Sequence, residues 1–307
     1  VTVLLNSFEG GTSGVTVSAA NSGGASGNAF DVVTIGTGGT FAFSSAHAAH
    51  GSLSASVGTG GTAAATYVTW STSIGTPAQV WFRMYLYFPS LPSAATRLFT
   101  VLNTGSSGVV KFGINTNGTI FTQNVSGATI TTSAASIPTA AWFRLEGMAL
   151  LSATVGQTEV KLFTSADGTV PAETDTSTPS QDTLSGSPGS YLFGPAAGVA
   201  NQGPFWMDDV GLSNTGYIGP VVVPIPVSTT PVLLAAATVK ATPGVTASFR
   251  LVNGLAPIYL GGPKVTAANG VQVAAGATFP GHLFAGDQVW AVTASGTSVV
   301  SVFQTGR

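Results

Sequence analysis

The stretch Gln79–Phe88, QVWFRMYLYF, constrains the chain most. Val80, Phe82, Met84, Leu86 and Phe88 form one wholly apolar face, while Gln79, Trp81, Arg83, Tyr85 and Tyr87 point the other way. A period of two is that of a β-strand with one face in a core. TYVTWST, TRLFTVLN, VVKFGIN, GTIFTQNV, AWFRLEGMAL and TEVKLFTS read as further strands, divided by turn signals such as NTNG, ADG and SSG. No segment carries a convincing helical period. Many short strands joined by glycine-rich turns predict an all-β sandwich or barrel, here a jelly-roll sandwich.

Composition excludes several other classes. Charged residues are 7% of the chain, against roughly 25% in an ordinary soluble domain. Hydrophobic residues reach 44%, which excludes the low-hydrophobicity, high-charge pattern of disorder. A surface dominated by Thr, Ser and Gly suits a protein that works inside an assembly. The net charge is −2 and the nine Lys and Arg are scattered singly, so no basic stripe exists for nucleic acid. Apolar runs such as VLLAAA fall short of the roughly 20 residues of a spanning helix, so no membrane insertion is expected. No basic-then-apolar leader opens the sequence, and a small first residue fits simple loss of an initiator Met. With no cysteine, neither disulfides nor thiolate metal sites are available.

The composition shifts at GPVVVPIPVSTTP, residues 219–231. Prolines at 220, 224, 226 and 231 favour an extended, semi-rigid connector. Residues 1–218 therefore form the jelly-roll domain, and residues 232–307 a small second β-sandwich or barrel. LLAAATVKA, ASFRLVN, PIYLGG, VQVAAG, QVWAVTA and SVVSVFQ supply its strands. It is small enough for a neighbouring copy to aid its stability. Residues 171–190 read as a polar loop.

Catalytic material is sparse. His47 and His50 have a spacing that ligates metals on a helix, but SSAHAAHGSL lies between strands with no carboxylate close in sequence. No G-x-S-x-G elbow is present, and the two GTGGT turns lack the third glycine and helix of a dinucleotide site. Glycoside hydrolysis needs two carboxylates about 5–9 Å apart across a cleft. The nearest pair, Glu173 and Asp175, falls in the Thr/Ser/Pro-rich loop. Glu146 and Glu159 stand at strand spacing from Arg144 and Lys161 and read as ion-paired. Binding has better material. Trp81, Arg83, Tyr85 and Tyr87 share one face, and WFRLE offers Trp142, Arg144 and Glu146. Rings beside charged hydrogen-bonding groups can form a sugar platform. The same face could equally be covered by loops or a neighbouring subunit, with Arg83 paired to Glu146.

Several segments together resemble the laminin-G-like, concanavalin A-like jelly-roll family. They are NSFEGGTSGVTVSAANSGGASGNAFD, AHGSLSASV, VWFRMYLYFPSLP, WFRLE and WMDDVGLSN. The resemblance covers roughly residues 4–215 and is strongest to versions in virion proteins of tailed phages that infect actinobacteria. The segments PIYLGGPKVTAANGVQVAAGATF and QVWAVTASGTSVVSVFQTGR resemble a small module at the C-termini of phage tail and capsid-surface proteins. The resemblance implies a non-enzymatic virion protein. The leading expectation is a minor tail protein presenting the jelly roll to host-envelope glycans. The alternatives are a capsid decoration or head-fibre protein and a glycan hydrolase, although the E-x-D-x-E motif of the glucanase branch is missing. Implied partners are other virion proteins and further copies of the chain, a trimer foremost. The resemblance also implies one structural calcium, held by Glu9 and by Asp208 or Asp209, with carbonyls near Asn28–Asp31 completing six to eight oxygens. Strand alternation places Asp208 with Trp206, Val210 and Leu212 on a core-like face, and Asp209 opposite with Met207 and Gly211. The two aspartates then cannot serve one substrate as an acid/base pair. A β-bulge would change that assignment. Asp208 is expected to be tethered, to calcium with Glu9 or to backbone N–H groups.

Overall fold

The computed structural model describes residues 2–61, 64–71, 74–196, 202–221, 225–227, 229–236, 247–253, 256–283, 288–296 and 298–305. The described chain is all-β, and it divides into two units at Pro220/Val221. No helix among the described residues is long and apolar enough to cross a membrane.

The first unit opens with β1 (Val3–Asn6), β2 (Val32–Ile35), β3 (Thr40–Ser44), β4 (Ser54–Gly58) and β5 (Thr66–Trp70). Then come β6 (Gln79–Tyr87), β7 (Thr96–Asn103), β8 (Gly108–Ile114), β9 (Thr119–Gln123) and β10 (Thr129–Ser136). It closes with β11 (Trp142–Leu150), β12 (Gln157–Phe163), β13 (Glu173–Thr176), β14 (Pro188–Phe193) and β15 (Phe205–Ser213). One sheet runs β13-β12-β11-β6-β15-β4-β3, with β1 also on β15, and the other runs β10-β9-β8-β7-β14-β5-β2. Every pairing is antiparallel. This is the jelly-roll sandwich that the alternation demanded.

The core lies between the sheets. Val80, Phe82, Met84, Leu86 and Phe88 are all buried in it. Phe82 of the first sheet stacks on Phe99 of the second at 4.1 Å between ring centroids. Each such ring contributes about 1.5–3 kcal/mol by leaving water. Gly147 on β11 makes the space, because a Cβ there would sit 2.3 Å from the Phe82 ring.

Two expectations change. Residues 171–190 are not all loop, since β13 and the start of β14 fall in them. Glu173 and Asp175 lie on β13 and bind across to β10 of the facing sheet. Glu173 accepts from the N–H groups of Ala134 and Ala135 at 2.7 and 2.5 Å, and Asp175 from the Thr131 hydroxyl. They tie two edge strands together instead of flanking a cleft.

The second unit holds β16 (Ile225–Val227), β17 (Val232–Ala236), β18 (Ala247–Asn253), β19 (Ile258–Gly261), β20 (Val271–Val273), β21 (Thr278–Leu283), β22 (Gln288–Thr293) and β23 (Ser298–Thr305). They form two four-stranded sheets, β16-β23-β18-β21 and β17-β22-β19-β20, around a small core that includes Leu234, Leu251, Ile258, Leu260 and Ala291. Residues 225–227 of the expected connector thus belong to a sheet.

Candidate functional site

The outward face of the first sheet can be read row by row from the strand register. One row is Trp142 (β11), Tyr87 (β6), Trp206 (β15), Ser56 (β4) and Ala42 (β3). The next is Phe163, Arg144, Tyr85 and Asp208. The third is Thr174, Lys161, Glu146, Arg83 and Gly211, and the fourth Thr176, Glu159, Met148, Trp81 and Ser213. Six of these side chains, from Trp81, Arg83, Tyr85, Tyr87, Trp142 and Arg144, were the expected platform. They share a face but do not form one open surface. Arg83, Tyr85 and Arg144 are buried, and only Trp81, Tyr87 and Trp142 are half-exposed. Trp81 lies six residues along β6 from Tyr87, about 20 Å at strand rise.

Two loops cover the middle rows. The β12–β13 connection brings the carbonyls of Ala166 and Gly168 onto the Arg144 guanidinium, the latter at 2.8 Å. Arg144 Nε donates to Glu146 Oε1 at 2.8 Å, and its guanidinium lies 3.8 Å from the Phe163 ring centroid. Glu146 therefore pairs with Arg144 on its own strand, not with Arg83. Arg83 instead donates to the carbonyls of Asp209 and Gly219, both at 3.0 Å. Burial pushes the Glu146 carboxyl up, opposed by the Arg144 charge and hydrogen bond. Lys161 and Glu159 form the other expected pair, at 3.2 Å. Burial of Glu159 is outweighed by hydrogen bonds from Tyr217, Lys161 and Thr176, which hold its carboxyl below the usual range.

The second cover is the β3–β4 connection, a strap held by four acidic side chains. Asp208 Oδ2 accepts from the N–H groups of Ala49 and His50 at 2.9 and 3.4 Å, and Oδ1 from Asp209 N–H at 2.8 Å. Glu9 accepts from Ser52 N–H, Ser52 hydroxyl and Leu53 N–H at 3.0, 3.0 and 2.8 Å. His50 Nδ1 meets Asp209 Oδ2 at 2.6 Å, and Nε2 meets Asp167 Oδ1 at 3.0 Å, where the Tyr85 hydroxyl also donates at 2.9 Å. Burial lowers the His50 pKa, but the two carboxylates prevail and push it up to about 9. The imidazole is therefore a cation at neutral pH, with both N–H groups donating. Burial and the adjacent Asp209 carboxylate push Asp208 up to about 8 against the pull of three backbone donors.

This geometry corrects the reading of the two aspartates. A bulge between Asp208 and Gly211, with Asp209 at φ 43°, shifts the alternation by one residue. Trp206 and Asp208 face outward, and Phe205 and Met207 face the core. Beyond the bulge Val210 and Leu212 are the core residues. Both carboxylates reach the strap at His50. They are buried and engaged there, so the pair has no open side for a substrate. The calcium expectation does not fit this donor set. Glu9 accepts from two N–H groups and the Ser52 hydroxyl, Asp208 accepts from N–H groups, Asp209 faces an imidazolium, and no metal-binding group of three or more His, Asp or Glu occurs among the described residues. The tether on Asp208 is the backbone alternative. His50 also has carboxylate neighbours after all, from residues more than a hundred positions away.

Beside the middle rows, one cluster stays half-exposed although the strap reaches it through His47. The His47 ring stacks on Tyr87 at 4.1 Å and meets Trp206 edge-on at 4.4 Å, while Trp142 lies 5.7 Å from Tyr87. Trp206 Nε1 donates to the Ser44 hydroxyl at 3.0 Å. His47, His50, Trp206 and Asp167 were not among the expected binding residues. Trp206 carried a usable signal, an aromatic two residues before a pair of acids, but the bulge concealed its face.

No protein-family model matches the chain, and no curated protein matches it. Among solved structures it is similar to the cellulose-induced protein Cip1, at TM-score 0.47 and 17% identity, over 71% of this chain and 100% of that one. It is also similar to domain 4 of AbnA, a GH43 extracellular arabinanase from Geobacillus stearothermophilus solved with arabinotriose. There the TM-score is 0.43 and the identity 14%, over 68% and 90% of the two chains. For Trypanosoma rangeli sialidase the values are 0.37 and 9%, over 69% of this chain and only 30% of the sialidase. Likeness at this level carries no inference about activity.

Proposed function

We propose that the chain is a non-enzymatic, carbohydrate-binding adhesion protein that uses the outward face of its jelly roll. The observation that carries this reading is the row Trp142–Tyr87–Trp206, three aromatic side chains left half-exposed on a sheet face whose middle is sealed. Aromatic rings of this kind supply large apolar area with a polar handle at little conformational cost. The acids considered for hydrolysis are otherwise engaged. Glu173 and Asp175 clamp β10, and Glu146 and Asp208 are buried. The sequence resemblance alone supports the finer setting, a minor tail protein of a tailed phage that binds host-envelope glycans and assembles with other virion proteins through its second unit. The same resemblance supports a capsid decoration or head-fibre role in second place.

The test is a bacterial-envelope glycan array probed with the full chain. Trp142→Ala, whose ring touches Tyr87 at the edge of the cluster, is expected to weaken binding by about 1–3 kcal/mol, about 5- to 150-fold. Trp81→Ala, about 20 Å away, is expected to leave it unchanged. Absence of glycan binding, or full binding by a folded Trp142→Ala protein, would overturn the reading.

A further inference from the structure

Ser56, the cross-strand partner of Trp206, lines a groove of about 440 Å³ together with Thr40, Gly58, Thr59, Gln202 and Pro204 and two further glycines. The register explains why a groove forms there. Ser56 is the partner of Trp206 and Ala42, and Gly58 that of Thr40. Large side chains on β6, β11 and β15 thus give way to small ones on β3 and β4. The sheet floor drops beside Trp206.

The wall opposite the floor is held firmly. Thr59 N–H donates to the Gln202 carbonyl at 2.8 Å, and Gln202 N–H donates back to the Thr59 hydroxyl at 2.9 Å. The Thr96 hydroxyl donates to Gln202 Oε1 at 3.2 Å. Gly203 permits the close approach, since a Cβ there would meet the Val57 carbonyl at 2.6 Å at a φ of 103°. A groove fixed in advance loses less entropy when a ligand enters, and its volume is within the roughly 300–1,000 Å³ of small-ligand sites.

The lining chooses the ligand class. Its side chains are hydroxyls, an amide and a proline ring, and none is charged among the described residues. Hydroxyls both donate and accept, as sugar hydroxyls do. A uronic or sialic carboxylate would enter this groove without a cation to offset its desolvation. Resting on the carbohydrate reading above, we propose that this groove is the subsite for an uncharged sugar unit of the glycan, with the chain continuing over Trp206 towards Tyr87 and Trp142.

Gly58 offers a clean test. A Cβ at this position meets only the Gln202 carbonyl, at an ordinary 3.5 Å, and β-branched residues suit strands. Gly58→Val should fold normally and project two methyl groups into the groove. Ser56→Ala removes one hydroxyl and tests the same site without added bulk. Thermal melts establish folding, and a glycan array that includes neutral and acidic oligosaccharides reads binding. The expected result is binding of neutral glycans only, lost with Gly58→Val and weakened about three- to tenfold by Ser56→Ala. If both variants bind like wild type while Trp142→Ala does not, the carbohydrate reading stands and the groove proposal falls. A preference for acidic glycans overturns the ligand class. Absence of glycan binding by the wild type overturns both.

Discussion

Replacing His50 by Gln should change the pH dependence of stability, not only its level. The side chain is 13% exposed and its partner Asp209 8%, whereas Asp167 on the other nitrogen is 60% exposed. Raising the imidazole pKa from 6.5 to about 9 corresponds to about 3 kcal/mol of stability, of which the screened Asp167 arm supplies less than about 1 kcal/mol. Below pH about 6.5 the imidazole is charged in both the folded and unfolded chain, and the whole stabilisation is present. It fades as the pH rises and is gone once the pH passes about 9. Asp208, raised to about 8, favours the folded state in the same direction at low pH, and Gln at 50 leaves that carboxyl in place. The difference between wild type and His50→Gln should therefore shrink by about 2–3 kcal/mol between pH 6 and pH 9.5. For a unit of this size that is about 5–10 °C in Tm. Scanning calorimetry across that range measures it. A gap that stays constant with pH would show that His50 acts by packing against Tyr85 and not by its charge.

Two other outcomes follow from the covered face. Added calcium or a chelator should leave the Tm where it is, because Glu9 and Asp208 are committed to backbone N–H groups and the Ser52 hydroxyl; a calcium-dependent rise in Tm would refute that assignment. Arg144→Met strands the buried Glu146 carboxylate and should cost about 3–5 kcal/mol in denaturant unfolding, while Arg144→Met with Glu146→Leu should regain most of it. Equal loss in the single and double variants would mean that the carbonyls of Ala166 and Gly168, not Glu146, are what Arg144 supports.

What the sequence showed and what it hid divide along physical lines. The alternation in β6 was legible because its two faces differ chemically at every step, and the register then placed Phe82 against Phe99 of the facing sheet. β13 was not, because Glu-Thr-Asp-Thr has no apolar alternation; its acids bind the facing edge strand instead of a core. β16 was masked by its proline. Pro226 cannot donate to a ladder, yet β16 is the edge of its sheet and tolerates it. The covering of the platform was illegible for another reason. His50 and Asp209 are separated by 159 positions, and no local pattern announces that a loop between β3 and β4 will cross the face of β6.

The paired aspartates show how much one residue can change. A period-two ruler run through Trp206-Met-Asp-Asp-Val assigns Asp208 to the core and separates it from Asp209. Asp is among the few non-glycine residues that readily adopt positive φ, and Asp209 does so at 43°. That single turn inserts a residue against β6, aims both carboxylates at the same strap, and lets the Asp209 carbonyl accept from Arg83. The chain thereby brings Trp206 onto the open face beside Tyr87 while keeping Val210 and Leu212 in the core. Without the bulge, strand alternation would place either Trp206 or Leu212 on the wrong side of the sheet. The two acids therefore mark the place where β15 changes phase, and this phase change creates the half-exposed aromatic row on which the binding proposal stands.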